Sequence, residues 1–312
     1  MAISQWLQFP EKLFFRREDE RIYALMRIAF AIVALINLIM LWPDRQQFLT
    51  DSGMVDQEVA MRLANPVYVS VFQFARSEAA VSGLMIFTGV ALVALMAGVG
   101  ARLAALWAVV WHISFVARAP LPLGGWDTIL RNFSFLILIS PLGECWTLPA
   151  LLRGSAKRAV PGVSAHGLVL MRLQVLVIYW HAELARLLSH DPYWKNGEFL
   201  SYFMLSHYAR WPGRWVLQYE GLMILGTFGV QLAETAIPVL LWFRRTRWWG
   251  VLLGFALHAG ISVAARGFVM FCLAMLMTYI AFLRKEDMDG LVHCWRGRFR
   301  PVAAPQQDMA GR

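Results

Sequence analysis

The chain has 312 residues, 59% of them hydrophobic and 16% charged, with a mean hydropathy of +0.53 and 14 tryptophans. A soluble globular chain carries about 45–50% apolar and about 25% charged residues, so this composition excludes an ordinary soluble enzyme. The net charge of +9 raises nucleic acid as a partner only where the basic residues share a soluble face, and no polar segment is long enough to form one.

Residues 1–21 place Trp6, Leu7, Phe9, Leu13, Phe14 and Phe15 among Lys12, Arg16 and Arg17, the composition of an interfacial helix and most simply a membrane-surface anchor. A cleaved leader is not expected, because the first apolar run follows this charged lead and ends in Leu41-Trp42-Pro43 without a small-residue cleavage site. Residues 22–283 form the membrane domain. A bilayer core needs about 20 apolar residues as helix, and runs of about that length occur at 22–42, 79–98, 101–117, 128–142, 167–188, 221–243, 248–264 and 267–283. The fourth is short, and the count is about eight, with seven to nine allowed, the fourth and eighth being the ones in question. The intervening segments 43–78 and 189–220 each suit a short surface helix. Residues 284–312 read as a basic, mobile tail.

With the N-terminus inside, 17 Lys and Arg flank the inner ends of these runs, 8 flank the outer ends, and Arg27, Arg131, Arg172 and Arg186 lie within helices. This asymmetry matches the positive-inside rule. It predicts an all-α, polytopic bundle in the plasma (inner) membrane with both termini cytoplasmic, and gives the basic residues a topological role in place of nucleic acid. Cys145, Cys272 and Cys294 avoid the outer loops, so no disulfide is expected, and their spacing fits no metal site.

A charge at the centre of a spanning helix costs about 2.5–3.5 kcal/mol on the insertion scale. Arg131, Arg172, Glu183, Arg186 and Glu234 should therefore face protein or a wet cavity. On the fifth helix, Arg172, Tyr179, Glu183, Arg186 and His190 fall on one stripe at 100° per residue. Gln174 and His181 lie opposite, which predicts a helix surrounded by protein. Glu183 and Arg186, at i and i+3, can pair along the helix; that pair is either functional or merely self-neutralising. Glu183 lies roughly 24 Å from the start of its helix and Arg131 about 6 Å from the outer end of the fourth, so the two can share a depth. Asp127 and Arg131, at i and i+4, can form their own ion pair, and His112 and Arg118 can border the same outer chamber. His112 reads better as a packing residue. Glu234 and His258 on adjacent helices can hydrogen-bond, as a proton relay or, slightly favoured, as a lock beside Pro238.

Arg27, Gly125-Trp126-Asp127 with Arg131, the run Gln174-Val175-Leu176-Val177-Ile178-Tyr179, Trp194-Lys195-Asn196-Gly197, then Glu234 with Pro238 and His258 together resemble the HTTM domain family. These are bacterial membrane proteins similar to the membrane part of vitamin K-dependent gamma-carboxylase, and the resemblance covers about residues 20–283. It implies a helical bundle able to hold a quinone-like or lipid-like molecule. In the carboxylases the helix matching Tyr179 to Leu187 carries a catalytic Lys. Here the matching position is Arg186, which does not deprotonate, and the large lumenal domain is not expected, so vitamin K-dependent carboxylation is not implied.

Two functions follow as expectations. The first is an HTTM-type protein with an outward-facing polar chamber, an oxidoreductase-like or maturation component using a membrane quinone. Its catalytic candidates are Glu183, Arg186, His181, Asp127 and Arg131, and its cofactor-binding candidates Tyr179, Arg172, Glu234, His258 and Trp194. The alternative is a non-enzymatic transporter, peptide-binding or immunity-type protein. The partners expected are the lipid bilayer and a lipophilic or peptide ligand.

Overall fold

The structure, a computed structural model, describes residues 13–64, 69–119, 124–142, 145–154 and 162–298, with side chains to residue 294. Long helices occupy all eight expected positions: α1 Glu20–Leu41, α2 Glu78–Ala97, α3 Ala101–Arg118, α4 Gly125–Ile139, α5 His166–Leu188, α6 Glu220–Trp242, α7 Arg247–Ala264 and α8 Val269–Thr278, which continues as a 3-10 turn over Tyr279–Phe282. Five of them, α1, α2, α3, α5 and α6, are long and apolar enough to cross a membrane. With 15 residues, α4 reaches about 22 Å at 1.5 Å per residue, short of the roughly 30 Å hydrocarbon core.

The helix ends follow local chemistry. Asp19 caps α1 by accepting the Arg21 amide at 2.9 Å and the Arg21 guanidinium. Burial pushes its carboxyl up, but the Arg21 bonds outweigh that and hold it below the usual carboxylate range. Gly98, at φ +72°, ends α2 in the left-handed conformation. A Cβ there would lie 2.7 Å from Thr147 Cβ and 3.0 Å from Arg27 Nη1, so packing as well as backbone geometry requires glycine.

The core is centred on α1 and α8. Met26, Phe30, Met275 and Met277 are among their core residues, and α8 packs on α1, α4, α5 and α7. Outer faces are apolar: Ile86, Phe87 and Val90 on α2, Leu222, Leu225 and Leu232 on α6, and Trp249, Leu252 and Phe255 on α7 are all exposed. Exposed apolar surface of this extent suits hydrocarbon and not water.

Three expectations change. α5 is not surrounded by protein, because His181 stands exposed beside Val177, Trp180 and Leu184; the 100° wheel gives faces but not which of them has a neighbour. The tail begins as a packed helix, α9 Lys285–Arg298. It buries Met288 and is tied by Arg21–Asp289 at 2.6 Å and Arg247–Asp287 at 2.8 Å. In the lead, a strand β1 Arg17–Glu18 pairs antiparallel with β2 Val163–Ser164; residues 1–12 and 299–312 lie outside the described residues. The two long connections hold several short helices each, at Arg45–Leu49 and Gln57–Leu63, and at Tyr193–Asn196, Phe199–Leu205 and Trp215–Gln218.

Candidate functional site

Most of the buried arginines serve the backbone. Arg27 donates to the carbonyls of Leu142, Cys145 and Trp146 at 3.4, 3.5 and 2.9 Å, and Arg118 to those of Leu49, Thr50 and Val55 at 3.2, 2.7 and 2.8 Å. The exposed Arg102 likewise takes the Leu138 and Ser140 carbonyls at the end of α4. Arg172 takes Ala281 O at 2.7 Å and pairs with Glu18 at 3.5 Å. Carbonyls at helix ends and in buried loops lack partners, and a guanidinium fork satisfies several at once. Arg172, expected on the binding stripe, is instead a clamp at the end of the bundle where α5 begins and α8 ends, hereafter the basic end.

Two linked clusters lie further along α5. In the first, the Tyr179 hydroxyl bonds His258 Nε2 at 2.8 Å and the Tyr279 hydroxyl. All three side chains are buried, His258 completely. The Nδ1 of His258 is buried without a hydrogen-bond partner among the described residues, and its backbone carbonyl accepts the Cys272 thiol at 3.0 Å. Gly254, one turn before His258 on α7, makes room for this arrangement: a Cβ there would lie 2.6 Å from Tyr279 Cζ and 2.7 Å from Cε2.

Glu183 lies one turn beyond Tyr179, about 6 Å along the axis, and Arg186, a further three residues on, bridges it at 2.6 Å and Glu234 of α6 through Nη1. Its Cζ sits 3.9 Å from the centroid of the Trp194 ring, a cation–π contact. The Trp194 carbonyl accepts Gln231 Nε2 at 2.9 Å, which fixes the short helix to α6. Two carboxylates face one guanidinium, so the cluster holds one carboxylate more than it balances. Its side chains remain 10–21% exposed, and the bridge joins α5 to α6.

The Glu183–Arg186 pair forms as its spacing predicts. The Glu234–His258 hydrogen bond does not: Glu234 bonds Arg186 and His258 bonds Tyr179, so side chains of α5 take both partners. Asp127 does not pair with Arg131. Its carboxylate reaches back to the Gly124 amide at 2.9 Å and accepts Asn37 Nδ2 at 3.2 Å, while Arg131 Nε donates to Asn132 at 3.4 Å. Asp127 is thus a helix-start residue tied to α1. His112 Nδ1 bonds the Ala108 carbonyl at 2.7 Å in its own helix, as a packing histidine does, and His181 faces outward. Of the ten candidates, Tyr179, Glu183, Arg186, Trp194, Glu234 and His258 come together. Tyr279 and Gly254 were not anticipated. The signal for Tyr279 was that it is the only tyrosine in the last apolar run.

The Tyr279 ring also walls a groove of about 440 Å³ on the lipid-facing side of α7 and α8, lined by Trp248, Val251, Leu252, Phe255, Leu276, Ile280 and Leu283. Small-molecule sites span about 300–1,000 Å³ and are mainly apolar with few polar groups. The groove is apolar, and Tyr279 in its wall carries the hydroxyl that bonds Tyr179. Among the described residues no group of three or more His, Cys, Asp or Glu is arranged to hold a metal ion. Compared with protein-family models, curated proteins and solved structures, the chain shows no match.

Proposed function

We propose that this chain is an integral membrane protein of the HTTM kind that holds a lipid-soluble molecule of the quinone class in the groove between α7 and α8. In this reading about eight helices cross the plasma membrane, the short α4 and α8 with local thinning of the bilayer, and both termini are cytoplasmic, as the distribution of Lys and Arg favours. The observation that carries the proposal is the double position of Tyr279, at once groove wall and end of the hydroxyl chain through Tyr179 to His258.

A quinone, when bound, supplies two-electron, two-proton redox chemistry. The protein's part is proton handling and exclusion of water. Tyr179 can accept a hydrogen bond from one neighbour while donating to the other, and neutral His258 can carry its proton on either nitrogen. The excess carboxylate of Glu183 and Glu234, one turn from Tyr179 along α5, is a proton acceptor whose position Arg186 fixes. Arg186 cannot serve as a base, which separates this chemistry from vitamin K-dependent carboxylation. The nearly all-apolar lining also favours a second reading, a non-catalytic lipid or peptide carrier.

Titration of a short-tailed benzoquinone into the reconstituted protein, read by tryptophan fluorescence, tests the proposal through Trp248. Saturable quenching that is lost in Val251→Phe combined with Leu276→Phe is expected. Linear quenching, identical in both proteins, would overturn it.

A further inference from the structure

A second cavity lies at the basic end, separated from the groove by the 3-10 turn. It is about 70 Å³ in volume and lined by Leu13, Arg16, Val169, Arg172, Leu241, Trp242, Phe282 and Arg284. About 10–15 Å³ of such space admits one water, so this one takes a small polyatomic group. Three arginines line it, and among the described residues Glu18 is the carboxylate that pairs with their guanidinium groups, with Arg16 at 2.7 Å and Arg172 at 3.5 Å.

The arginines are not used up by the protein. Arg172 commits Nε to Ala281 and Nη1 to Glu18, which leaves its other terminal nitrogen. The half-buried Arg284 guanidinium makes no hydrogen bond among the described residues; only its backbone amide does, to Asp287 at 2.7 Å. Burial, then the like charges of Arg247, Arg244 and Arg16, disfavour the Arg284 cation. A half-buried cation crowded by others is costly until an anion joins it. From the arginine triad, the surplus of positive charge and the unpartnered Arg284, we propose that this cavity is a binding site for a phosphate group.

Phosphate presents several acceptor oxygens to guanidinium forks, a match that a single carboxylate meets less fully. The site lies at the bundle's edge, where Trp242 and Leu241 end α6, and basic pockets between membrane helices at this level take lipid headgroups. A phospholipid headgroup and free inorganic phosphate share the recognising chemistry, and the experiment separates them.

The full-length protein in detergent is titrated with phosphatidylglycerol, phosphatidylcholine or inorganic phosphate while its thermal midpoint is followed. Arg284→Gln and Arg16→Gln are compared with Arg244→Gln, which removes an equal charge outside the cavity. Phosphatidylglycerol should raise the midpoint saturably, with the half-effective concentration about tenfold higher in Arg284→Gln and unchanged in Arg244→Gln, about 1.4 kcal/mol of binding. Should Arg284→Gln fail to fold, the partly exposed Arg16→Gln reports instead. Equal saturable stabilisation by inorganic phosphate, lost in the same variants, assigns the site to free phosphate. Equal response to phosphatidylglycerol and phosphatidylcholine, or a wild-type response from both cavity variants, overturns the site.

Discussion

Replacing Tyr179 with Phe should cost far more than replacing Tyr279, although each change deletes one hydroxyl. Tyr279→Phe removes one hydrogen bond, worth about 1 kcal/mol net, and leaves Tyr179 bonded to His258. Tyr179→Phe removes two. It also strands the Tyr279 hydroxyl and leaves His258, whose Nδ1 already has no partner, bonded at neither ring nitrogen. Each buried polar group so orphaned costs about 1–3 kcal/mol, which brings the total to about 2–6 kcal/mol. Reversible unfolding in mixed detergent and dodecyl sulfate micelles, followed by tryptophan fluorescence, measures both. The double variant should be no less stable than Tyr179→Phe alone, since it removes the stranded hydroxyl. Equal costs for the two single variants, or additive costs in the double variant, would refute the central role given to Tyr179.

Gly254→Ala should displace Tyr279 and destabilise by about 1–3 kcal/mol, and Gly254→Ala in a Tyr279→Leu background should cost less in the same unfolding assay; an undiminished penalty would show that Tyr279 is not the obstacle. Arg186→Met leaves Glu183 and Glu234 facing each other and should cost about 2–3 kcal/mol, below the fully buried limit because the side chains are partly exposed. Glu183→Gln, which keeps the Arg186–Glu234 bond, should cost less, and the reverse order would count against the bridge. Arg118→Met should accelerate amide hydrogen exchange over residues 49–56 and leave residues 142–147 unchanged, because its carbonyl partners all lie in the first stretch. The Cys145 thiol is pushed up to about 11 by burial and then by Glu20 and Asp19, so its thiolate increases about tenfold per pH unit below that value. Alkylation by iodoacetamide in a Cys272→Ser, Cys294→Ser background should therefore climb about tenfold between pH 8 and 9; a plateau in that interval would contradict the shift.

The helices were legible because long apolar runs announce themselves, and each observed end falls close to its expected place. Periodicity also found the Glu183–Arg186 pair, which lies within one helix. It was weaker wherever the answer depended on a neighbouring helix. Nothing local to Glu234 says that it meets Arg186 of α5 and not His258 of α7, and nothing local to Arg27 or Arg172 distinguishes a ligand-binding guanidinium from one that holds loop carbonyls. Asp127 misled for a related reason. Its i+4 spacing to Arg131 permits an ion pair, but its place in the first turn of α4 favours the backbone of Gly124. Tyr279 and Gly254 escaped notice because a tyrosine in an apolar run and a glycine in a helix acquire meaning only once the two are seen in contact.

Mass spectrometry of the lipophilic molecules retained through gentle purification tests the central claim most directly. A quinone enriched with the wild-type protein and lost when Val251→Phe and Leu276→Phe fill the groove is the predicted result. Retention of the same molecules at the same level by both proteins would contradict it.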